Sequence, residues 1–362
     1  MTTMDLEPKY FKFQEAFKWV EEATHGVPKR VPIYAQLCEL IPGEMKKSAR
    51  DVFHDPVLLN EGIFTTCEKY NIDIPSMDVD TYNIEAEAIG QKIRFNDDIM
   101  PDIDRAHPLI REESDIRKIV TPDFDKAGRC SFVVDAYKVF ENLVGVRTSL
   151  AFCAPFSLAA NIRGIETLIM DMCLNPKFAH ELMTRVTQEV LIPWIEYLKS
   201  KFPQTPSIVG ADALASLPIV NIKLMDEFIA PYVEKLRYVC GKRVCVPNWT
   251  GERYAKNPEQ VMDIRLRVNP LFVEGQDPDV EALGPQFYKA YAKKHDIPLL
   301  LGVGAVFLRT AEPEEIFNRV KHYVKVGGEN GRLWFYLCNI EPGTPKENIK
   351  AAVDAVHKYG TY

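Results

Sequence analysis

The sequence contains no long hydrophobic run, no strongly basic cluster and no low-complexity tract. No apolar stretch approaches the ~20 residues that a membrane-spanning helix needs. Lysine and arginine total 44 against 51 for aspartate and glutamate, a net charge of −7. The longest basic clusters are the pairs Lys46-Lys47 and Lys293-Lys294, so we expect no nucleic-acid partner. With 46% hydrophobic and 26% charged residues, the composition excludes a disordered, collagen-like or coiled-coil chain.

The cysteines form no CxxC pair, although the chain has eight of them. Scattered cysteines in a chain of 362 residues are typical of free thiols in a reducing compartment. Residues 1–8 are polar and acidic, which predicts no signal peptide. We therefore expect a cytoplasmic protein without disulfides, in which one or two thiols remain available as metal ligands.

Short apolar runs alternate with longer amphipathic segments, the order typical of an α/β fold. The runs predicted as strands are residues 31–37, 72–77, 148–153, 207–214, 243–247, 271–274, 298–303 and 333–338. Eight such strands predict a single-domain (β/α)8 TIM barrel over residues 1–362, and a doubly wound open sheet is the alternative. Residues 1–30 would form an N-terminal extension, and the polar segment 78–147 a lid-like insertion after the second strand.

Proline marks the predicted starts of three helices. Asparagine precedes Pro176 and Pro258, and glutamate precedes Pro313. Proline suits the first helical position because its missing N–H has no intrahelical partner there. Helical periodicity follows each of them.

In a TIM barrel, catalytic groups follow the C-terminal ends of the strands. The residues at the predicted strand ends are acidic and polar and include no histidine, so we expect no Ser-His-Asp triad. This set contributes Gln36, Asp80, Asp212, Asn248 and Glu274 as candidates.

Several phrases, taken in order, resemble the uroporphyrinogen decarboxylase superfamily, which also contains cobalamin-dependent methyltransferases. They cover the sequence from about residue 31 to its end and comprise CAPFSLAA at 153–160, the Asn-Pro at 175–176, GADALAS at 210–216, FIAPYVEKL at 228–236 and CNIEPGTP at 338–345. The family fold agrees with the barrel predicted above. Decarboxylase members carry arginines after the first strand, whereas residues 34–40 here read YAQLCEL. The segment 78–91, DVDTYNIEAEAIGQ, is similar to the branch that demethylates phenyl methyl ethers.

The resemblance implies a methyltransferase that cleaves aryl methyl ethers and passes the methyl group to cob(I)alamin on a partner corrinoid protein. It also implies zinc, because that branch has a Glu, Glu, His motif with spacings that Glu259, Glu274 and His295 reproduce. The barrel prediction puts His295 at the face opposite Glu274. The rival zinc ligands are Cys245 and Cys338, at the ends of the fifth and eighth strands, since zinc accepts both oxygen and sulfur.

Cleavage of an aryl ether releases a phenolate, whose conjugate acid has a pKa of about 10, so the departing oxygen needs an electrophile or a proton donor. We interpret the candidates in three groups. The proton donor or its orienting group is sought among Asp80, Tyr82, Asp212 and Glu274. Aromatic walls are predicted from Tyr34, Phe156, Trp249 and Phe307, and binding of ring substituents from Gln36 and Asn248.

Structural roles remain open for these residues, because strand-end acids often cap helices and buried phenylalanines often only fill the core. The functional alternatives are a methylamine, betaine or methylthiol as methyl donor, a carboxy-lyase, or a non-enzymatic barrel. The sequence also leaves a homodimer open.

Overall fold

The structure is a computed structural model that describes residues 9–362. The expectation that residues 1–8 form no signal peptide concerns residues outside this range. No helix within residues 9–362 combines the length and hydropathy needed to cross a membrane. The strands, in chain order, are β1 Ile33–Ala35, β2 Ile93–Arg94, β3 Asp102–Ile103, β4 Leu150–Cys153, β5 Ile208–Ala211, β6 Val244–Cys245, β7 Val273–Gln276, β8 Leu299–Val303 and β9 Leu333–Leu337.

Helices occupy most of the segments between the strands. They are α1 Gln14–His25, α2 Ile41–Met45, α3 Ala49–Val52, α4 Pro56–Tyr70, α5 Thr81–Ala88, α6 Cys130–Val144, α7 Pro155–Arg163, α8 Ile165–Leu174, α9 Pro176–Arg185, α10 Ile192–Lys201, α11 Ile222–Leu224, α12 Ala230–Cys240, α13 Pro258–Val268, α14 Asp279–Leu283, α15 Pro285–Lys294, α16 Ala305–Thr310, α17 Pro313–Gly327 and α18 Lys346–Tyr359. Short 3-10 turns cover Phe11–Phe13, Glu113–Lys118, Ala213–Ala215 and Glu252–Tyr254.

Two compact units make up the described chain. The first comprises the described residues up to Asp78, then Lys138–Val146 and Leu271–Tyr362. The second comprises Val79–Tyr137 and Arg147–Pro270. Each unit has one parallel sheet with helices in its connections.

The sheet of the first unit has the order β1-β9-β8-β7, and all its pairs are parallel. The second unit has the parallel sheet β4-β5-β6 and a separate antiparallel pair, β2 and β3. Parallel neighbours require crossover connections, which here contain helices. The α/β prediction is therefore confirmed. The ladders of residues 9–362 form these separate sheets, so closure into a barrel stays a prediction.

The second predicted strand, residues 72–77, is wrong in extent. Only an isolated bridge joins Ile74 to Tyr34 of β1. Pro75 explains this, because proline has no N–H to continue the ladder. The predicted insertion 78–147 contains α5, β2, β3 and most of α6, and its role as a lid stays a prediction.

The three predicted helix starts are confirmed. Helices α9, α13 and α17 begin at Pro176, Pro258 and Pro313. The Asn175 and Asn257 side chains accept hydrogen bonds from N–H groups in the first turns of α9 and α13, which satisfies donors that have no partner within the helix.

Two π-helical turns, Val186–Leu191 and Met225–Ile229, interrupt helices of the second unit. Each ends two residues before a proline, Pro193 and Pro231 respectively. A proline inside an α-helix removes one hydrogen bond and its ring collides with the carbonyl four residues earlier. The wider π turn lets the helix continue past that collision.

The N-terminal extension packs against the first unit. The ring of Tyr10 stacks on that of Phe64 with centroids 4.3 Å apart, and Phe64 stacks on Phe140 at 5.1 Å. The backbone N–H groups of Lys9 and Tyr10 both donate to the carbonyl of Leu143. These contacts attach the start of the described chain to the core of that unit.

One row of residues runs straight across the first sheet near its C-terminal edge. Tyr34 of β1 pairs with Tyr336 of β9, Tyr336 pairs with Gly302 of β8, and Gly302 pairs with Gln276 of β7. A Cβ atom at Gly302 would lie 2.3 Å from Cε1 of Tyr336. Glycine at this position is therefore what allows the Tyr336 ring to lie across the strand.

We expect Gly302→Ala to lower the free energy of unfolding by about 1–3 kcal/mol, because the Tyr336 ring must move out of a packed position. Urea denaturation measures the change. Gly43→Ala is the matched control, since a Cβ there meets nothing within 4 Å. A Gly302→Ala protein as stable as the control would contradict this packing.

Candidate active site

The row across the first sheet is the base of a group of side chains that we call the tyrosine cluster: Tyr34, Glu274, Gln276, Tyr336 and Cys338. The rings of Tyr34 and Tyr336 stack with centroids 5.4 Å apart and planes inclined by 11°. The Tyr336 hydroxyl lies 2.7 Å from Oε1 of Glu274 and 2.9 Å from Oε1 of Gln276. Because a phenol has one proton, it donates to only one of them at a time.

The thiol of Cys338 donates to Oε1 of Gln276 at 2.9 Å. Burial, and after it the carboxylates of Glu274 and Asp78, raise the pKa of this thiol to about 12. The same two influences, burial and then Glu274, raise the pKa of Tyr34 and of Tyr336 well above that of a free phenol. All three groups are therefore neutral near pH 7 and act as proton donors, not as nucleophiles.

Tyr34 differs from Tyr336 in the state of its hydroxyl. Tyr336 is buried and bonded to Glu274, whereas Tyr34 is partly exposed. Within residues 9–362 the hydroxyl of Tyr34 has no hydrogen-bond partner. A neutral phenol with an unused proton, fixed by stacking on a second ring, is suited to donate a hydrogen bond to a bound ligand.

A second group, the Asp212 cluster, lies in the second unit and comprises Tyr82, Ser157, Asp212, Asn248 and Trp249. Asp212 follows β5 and is completely buried. Its Oδ1 accepts from the backbone N–H of Ser157 at 2.7 Å, and its Oδ2 accepts from the indole N–H of Trp249 at 3.1 Å. Since Ser157 lies in the first turn of α7, Asp212 caps that helix from the neighbouring strand.

Asn248 joins Asp212 to Tyr82. Its Oδ1 accepts from the backbone N–H of Asp212 at 2.8 Å, which directs its Nδ2 toward the hydroxyl of Tyr82 at 3.2 Å. The backbone N–H of Ala213 also donates to that hydroxyl, at 3.1 Å. Burial raises the pKa of Tyr82 above its ordinary value, while these two donors oppose the rise. Tyr82 is therefore a second neutral phenol whose oxygen is already hydrogen-bonded.

Asp80 is engaged in a buried ion pair. Its two oxygens accept from Nη1 and Nη2 of Arg129 at 2.9 and 2.5 Å, and Asn83 donates to one of them. Both side chains are almost completely buried. This bidentate pairing gives Asp80 a structural function in the second unit, and its catalytic role stays a prediction.

The residues predicted to form aromatic walls have different surroundings. Phe156 and Trp249 have no exposed surface, so their rings fill the core of the second unit, and Trp249 in addition fixes Asp212. The guanidinium of Arg319 covers one face of Phe307 at 3.5 Å. Gln36 accepts a backbone hydrogen bond from Asn339 at 3.1 Å. Their roles in substrate binding stay predictions.

The predicted zinc ligands do not assemble. Glu259 lies in the first turn of α13, His295 directly follows α15, and Cys245 is completely buried in β6. Glu274 and Cys338 belong to the tyrosine cluster. Across residues 9–362 no group of three or more His, Cys, Asp and Glu side chains is arranged to hold a metal ion. The described residues therefore do not fit a zinc centre, and zinc stays a prediction.

Sequence reasoning misses Tyr336, which belongs to the tyrosine cluster, and Arg129, which holds the candidate Asp80 in place. Tyr336 lies inside its strand, two residues before Cys338, whereas the predicted candidates lie at or beyond strand ends. The alternation of side chains along β9 could have revealed it, because residues two apart share a face. Arg129 lies 49 residues from Asp80, and no local pattern connects the two.

The chain belongs to the uroporphyrinogen decarboxylase (URO-D) family, whose model matches residues 20–359. A methylated-thiol–coenzyme M methyltransferase of Methanosarcina mazei is 22% identical over 292 residues, covering 78% of this chain and 71% of the relative. A uroporphyrinogen decarboxylase of Anaeromyxobacter dehalogenans is 24% identical over 273 residues, covering 69% of each.

The fold also matches a solved structure, that of a methyltransferase from Methanosarcina mazei. The TM-score is 0.74 at 16% identity, and the match covers 97% of this chain and 99% of that one. This similarity establishes the fold.

We expect the stability of the protein to depend on Asp212 between about pH 4 and pH 6. Burial raises the pKa of this carboxyl from 3.8 to about 6, so the folded state binds more protons than the unfolded state in that window. The free energy of unfolding should therefore fall as the pH rises through it, by up to about 3 kcal/mol. Denaturation of the wild type and of Asp212→Asn at several pH values measures this contribution, with Glu314→Gln, an exposed acid, as control. Equal slopes in all three proteins would contradict it.

Removing one partner of the buried ion pair should be strongly destabilising. Arg129→Met leaves the Asp80 carboxylate buried without its cation, and we expect a loss of about 3–5 kcal/mol in denaturation experiments. The double variant with Asp80→Asn should recover part of it. Lys126→Met, which breaks an exposed pair with Asp123, should cost less than about 1 kcal/mol. A double variant no more stable than Arg129→Met would count against this pairing.

Proposed function

We propose that this protein is a methyltransferase that cleaves aryl methyl ethers and delivers the methyl group to cob(I)alamin on a partner corrinoid protein. Family membership, the activity of the methylated-thiol relative and the fold match to a methyltransferase support the general reaction. The segment 78–91 supports the aryl ether. The turn after β1, which contains no arginine between Tyr34 and Leu40, is unsuited to a substrate with many carboxylates and disfavours a decarboxylase.

The observation that carries the proposal is the hydroxyl of Tyr34. When bound, the cob(I)alamin of the partner supplies the nucleophile that attacks the methyl carbon. The electron pair of the C–O bond then goes to the aryl oxygen, and a phenolate leaves. Tyr34 donates a hydrogen bond to that oxygen as the charge develops, and Tyr336 beneath it keeps the ring in place.

Tyr34 stabilises the phenolate without having to give up its proton. The pKa of Tyr34 lies well above its ordinary value, and that of a phenol leaving group is about 10. The proton therefore remains on the tyrosine until product release, and solvent completes the protonation of the phenol. A donor aimed at developing negative charge in a site with little water is an effective form of catalysis.

No step is assigned to zinc, because the described residues do not fit it. A methylated thiol as substrate would need a zinc site with a thiolate ligand. The thiol of Cys338 is neutral at pH 7, because its pKa is raised to about 12. The cytoplasmic location and the homodimer stay predictions.

The test is an anaerobic assay of the enzyme with free cob(I)alamin and a panel of methoxyphenols, following the loss of Co(I) absorbance. We expect enzyme-dependent formation of methylcobalamin and release of the demethylated phenol. Reaction with a methylamine or a methyl thioether and with no ether would contradict the proposed substrate.

Tyr34→Phe should lower kcat about a hundredfold, the usual effect of removing one hydrogen-bond donor to a developing oxyanion. Tyr82→Phe tests the alternative donor in the same assay, and Tyr238→Phe, at an exposed position on α12, is the control. A normal rate in Tyr34→Phe together with a large loss in Tyr82→Phe would transfer the role from Tyr34 to Tyr82.

A further inference from the structure

Two glutamines at the C-terminal edge of the first sheet have their carbonyl oxygens hydrogen-bonded within the protein. Gln36 directly follows β1, and its Oε1 accepts from the backbone N–H of Asn339 at 3.1 Å. Gln276 ends β7, and its Oε1 accepts from the thiol of Cys338 at 2.9 Å and lies 2.9 Å from the Tyr336 hydroxyl. Since a backbone N–H and a neutral thiol each have a proton to donate, these contacts turn the amide oxygens toward the protein.

The amide nitrogens of Gln36 and Gln276 are open. Both side chains are partly exposed, and within residues 9–362 neither Nε2 atom has a hydrogen-bond partner. Buried side-chain atoms without a partner occur elsewhere in that range, but neither Nε2 is one of them, so both nitrogens reach solvent. Each nitrogen carries two N–H donors and accepts nothing. The two glutamines therefore present their donor ends at the open side of the sheet edge.

Strand register brings these donors to the face that carries Tyr34. The backbone N–H of Gln36 continues the ladder between β1 and β9, so its side chain shares the face of Tyr34, two residues earlier. Gln276 pairs with Gly302, and the missing side chain there lets it reach Tyr336. Tyr34 stacks on the ring of Tyr336. Because that ring lies between Tyr34 and Gln276, the two groups meet different atoms of one ligand.

A ligand that covers these amides must replace the water on them. A hydrocarbon surface would strip that water and leave the N–H groups without a partner, which is unfavourable. An ammonium group would do the same, because it has donors only. An ether, carbonyl or hydroxyl oxygen accepts from the amides and restores what the water supplied.

We propose that Gln276 and Gln36 bind the methyl donor, each donating a hydrogen bond to an acceptor oxygen that the ring carries besides the ether oxygen held by Tyr34. This inference rests on the proposed function, whose substrate it requires to carry a second oxygen acceptor. Gln276 is the new residue in the site, and its amide determines which polarity of ring substituent is bound.

The experiment compares two ligands of nearly the same shape, methoxyacetophenone and isopropenyl methoxybenzene, each as its ortho, meta and para isomer. The first has a carbonyl oxygen where the second has a CH2 group. Isothermal titration calorimetry with the enzyme measures their Kd values without cobalamin and without turnover. The ratio of the alkene Kd to the ketone Kd reports whether the protein donates to that oxygen.

Gln276→Glu and Gln36→Glu keep the oxygen that accepts from the protein and replace the NH2 group by a second oxygen. In at least one isomer pair, we expect each variant to lower the ratio by about fivefold, the effect of losing one neutral hydrogen bond. Gln276→Met, which has no donor, gives the same comparison if the glutamate variant folds poorly or takes up a proton. Gln260→Glu, at an exposed position on α13, is the control and should leave the ratio unchanged.

A purely structural role of Gln276 would alter the affinity for ketone and alkene equally and leave their ratio at the wild-type value. Ratios unchanged by both Gln276 variants in every isomer pair would overturn the inference, as would no binding of any ligand to the wild type. An unchanged ratio in Gln36→Glu alone would remove Gln36 from the site.

The failure of this inference is distinguishable from failure of the proposed function. A lowered ratio in Gln276→Glu with no methyl transfer from any ether would leave the binding site in place and refute the reaction. Methyl transfer from ketone and alkene in the same proportion in Gln276→Glu as in the wild type would support the reaction and refute the role of Gln276.

Discussion

Parallel strand pairing is the constraint on which both candidate sites depend. Parallel neighbours run in the same direction, so their C-terminal ends meet at one edge of the sheet, and side chains from distant parts of the chain become neighbours there. In the first unit, this brings Tyr34, Gln276 and Tyr336 into one row. In the second unit, it allows Asp212 to bond groups that follow the two strands beside its own. The chemistry of each cluster is thus a product of strand register.

Negative charge and neutral hydroxyls are combined in an unusual balance. Burial makes the ionisation of a phenol harder and a neighbouring carboxylate adds to this, so burial first and Glu274 second keep Tyr34 and Tyr336 protonated and available as donors. In the reaction proposed above, the same charges would disfavour the phenolate product unless it is hydrogen-bonded.

The sequence predicts the strands and helix starts well, because apolar runs and proline positions are local signals. Seven of the eight predicted strands form, and Pro75 explains the failure of the eighth. Of the candidate residues, Tyr82, Asp212, Asn248 and Trp249 lie in one cluster, since all follow or face adjacent strands. The residues of the zinc motif form no group of metal ligands in the part of the chain that the structure describes, because spacing along the chain carries no information about the direction of a side chain. The sequence does not predict Tyr336 and Arg129, because their partners are remote in the chain. The need for glycine at position 302 becomes evident only from the position of the Tyr336 ring.

The pairing of β1 with β9 has a consequence for synthesis on the ribosome. Ile33 pairs with Phe335, so the edge of β1 must wait until nearly the whole chain has emerged. At roughly 5–20 residues per second, that delay is about 15–60 seconds. The three strands of the second unit emerge within a much shorter stretch, between Leu150 and Cys245, and can pair first. The nascent protein therefore exposes an unpaired, apolar β1 for most of its synthesis, a state in which chaperone binding or aggregation decides the yield.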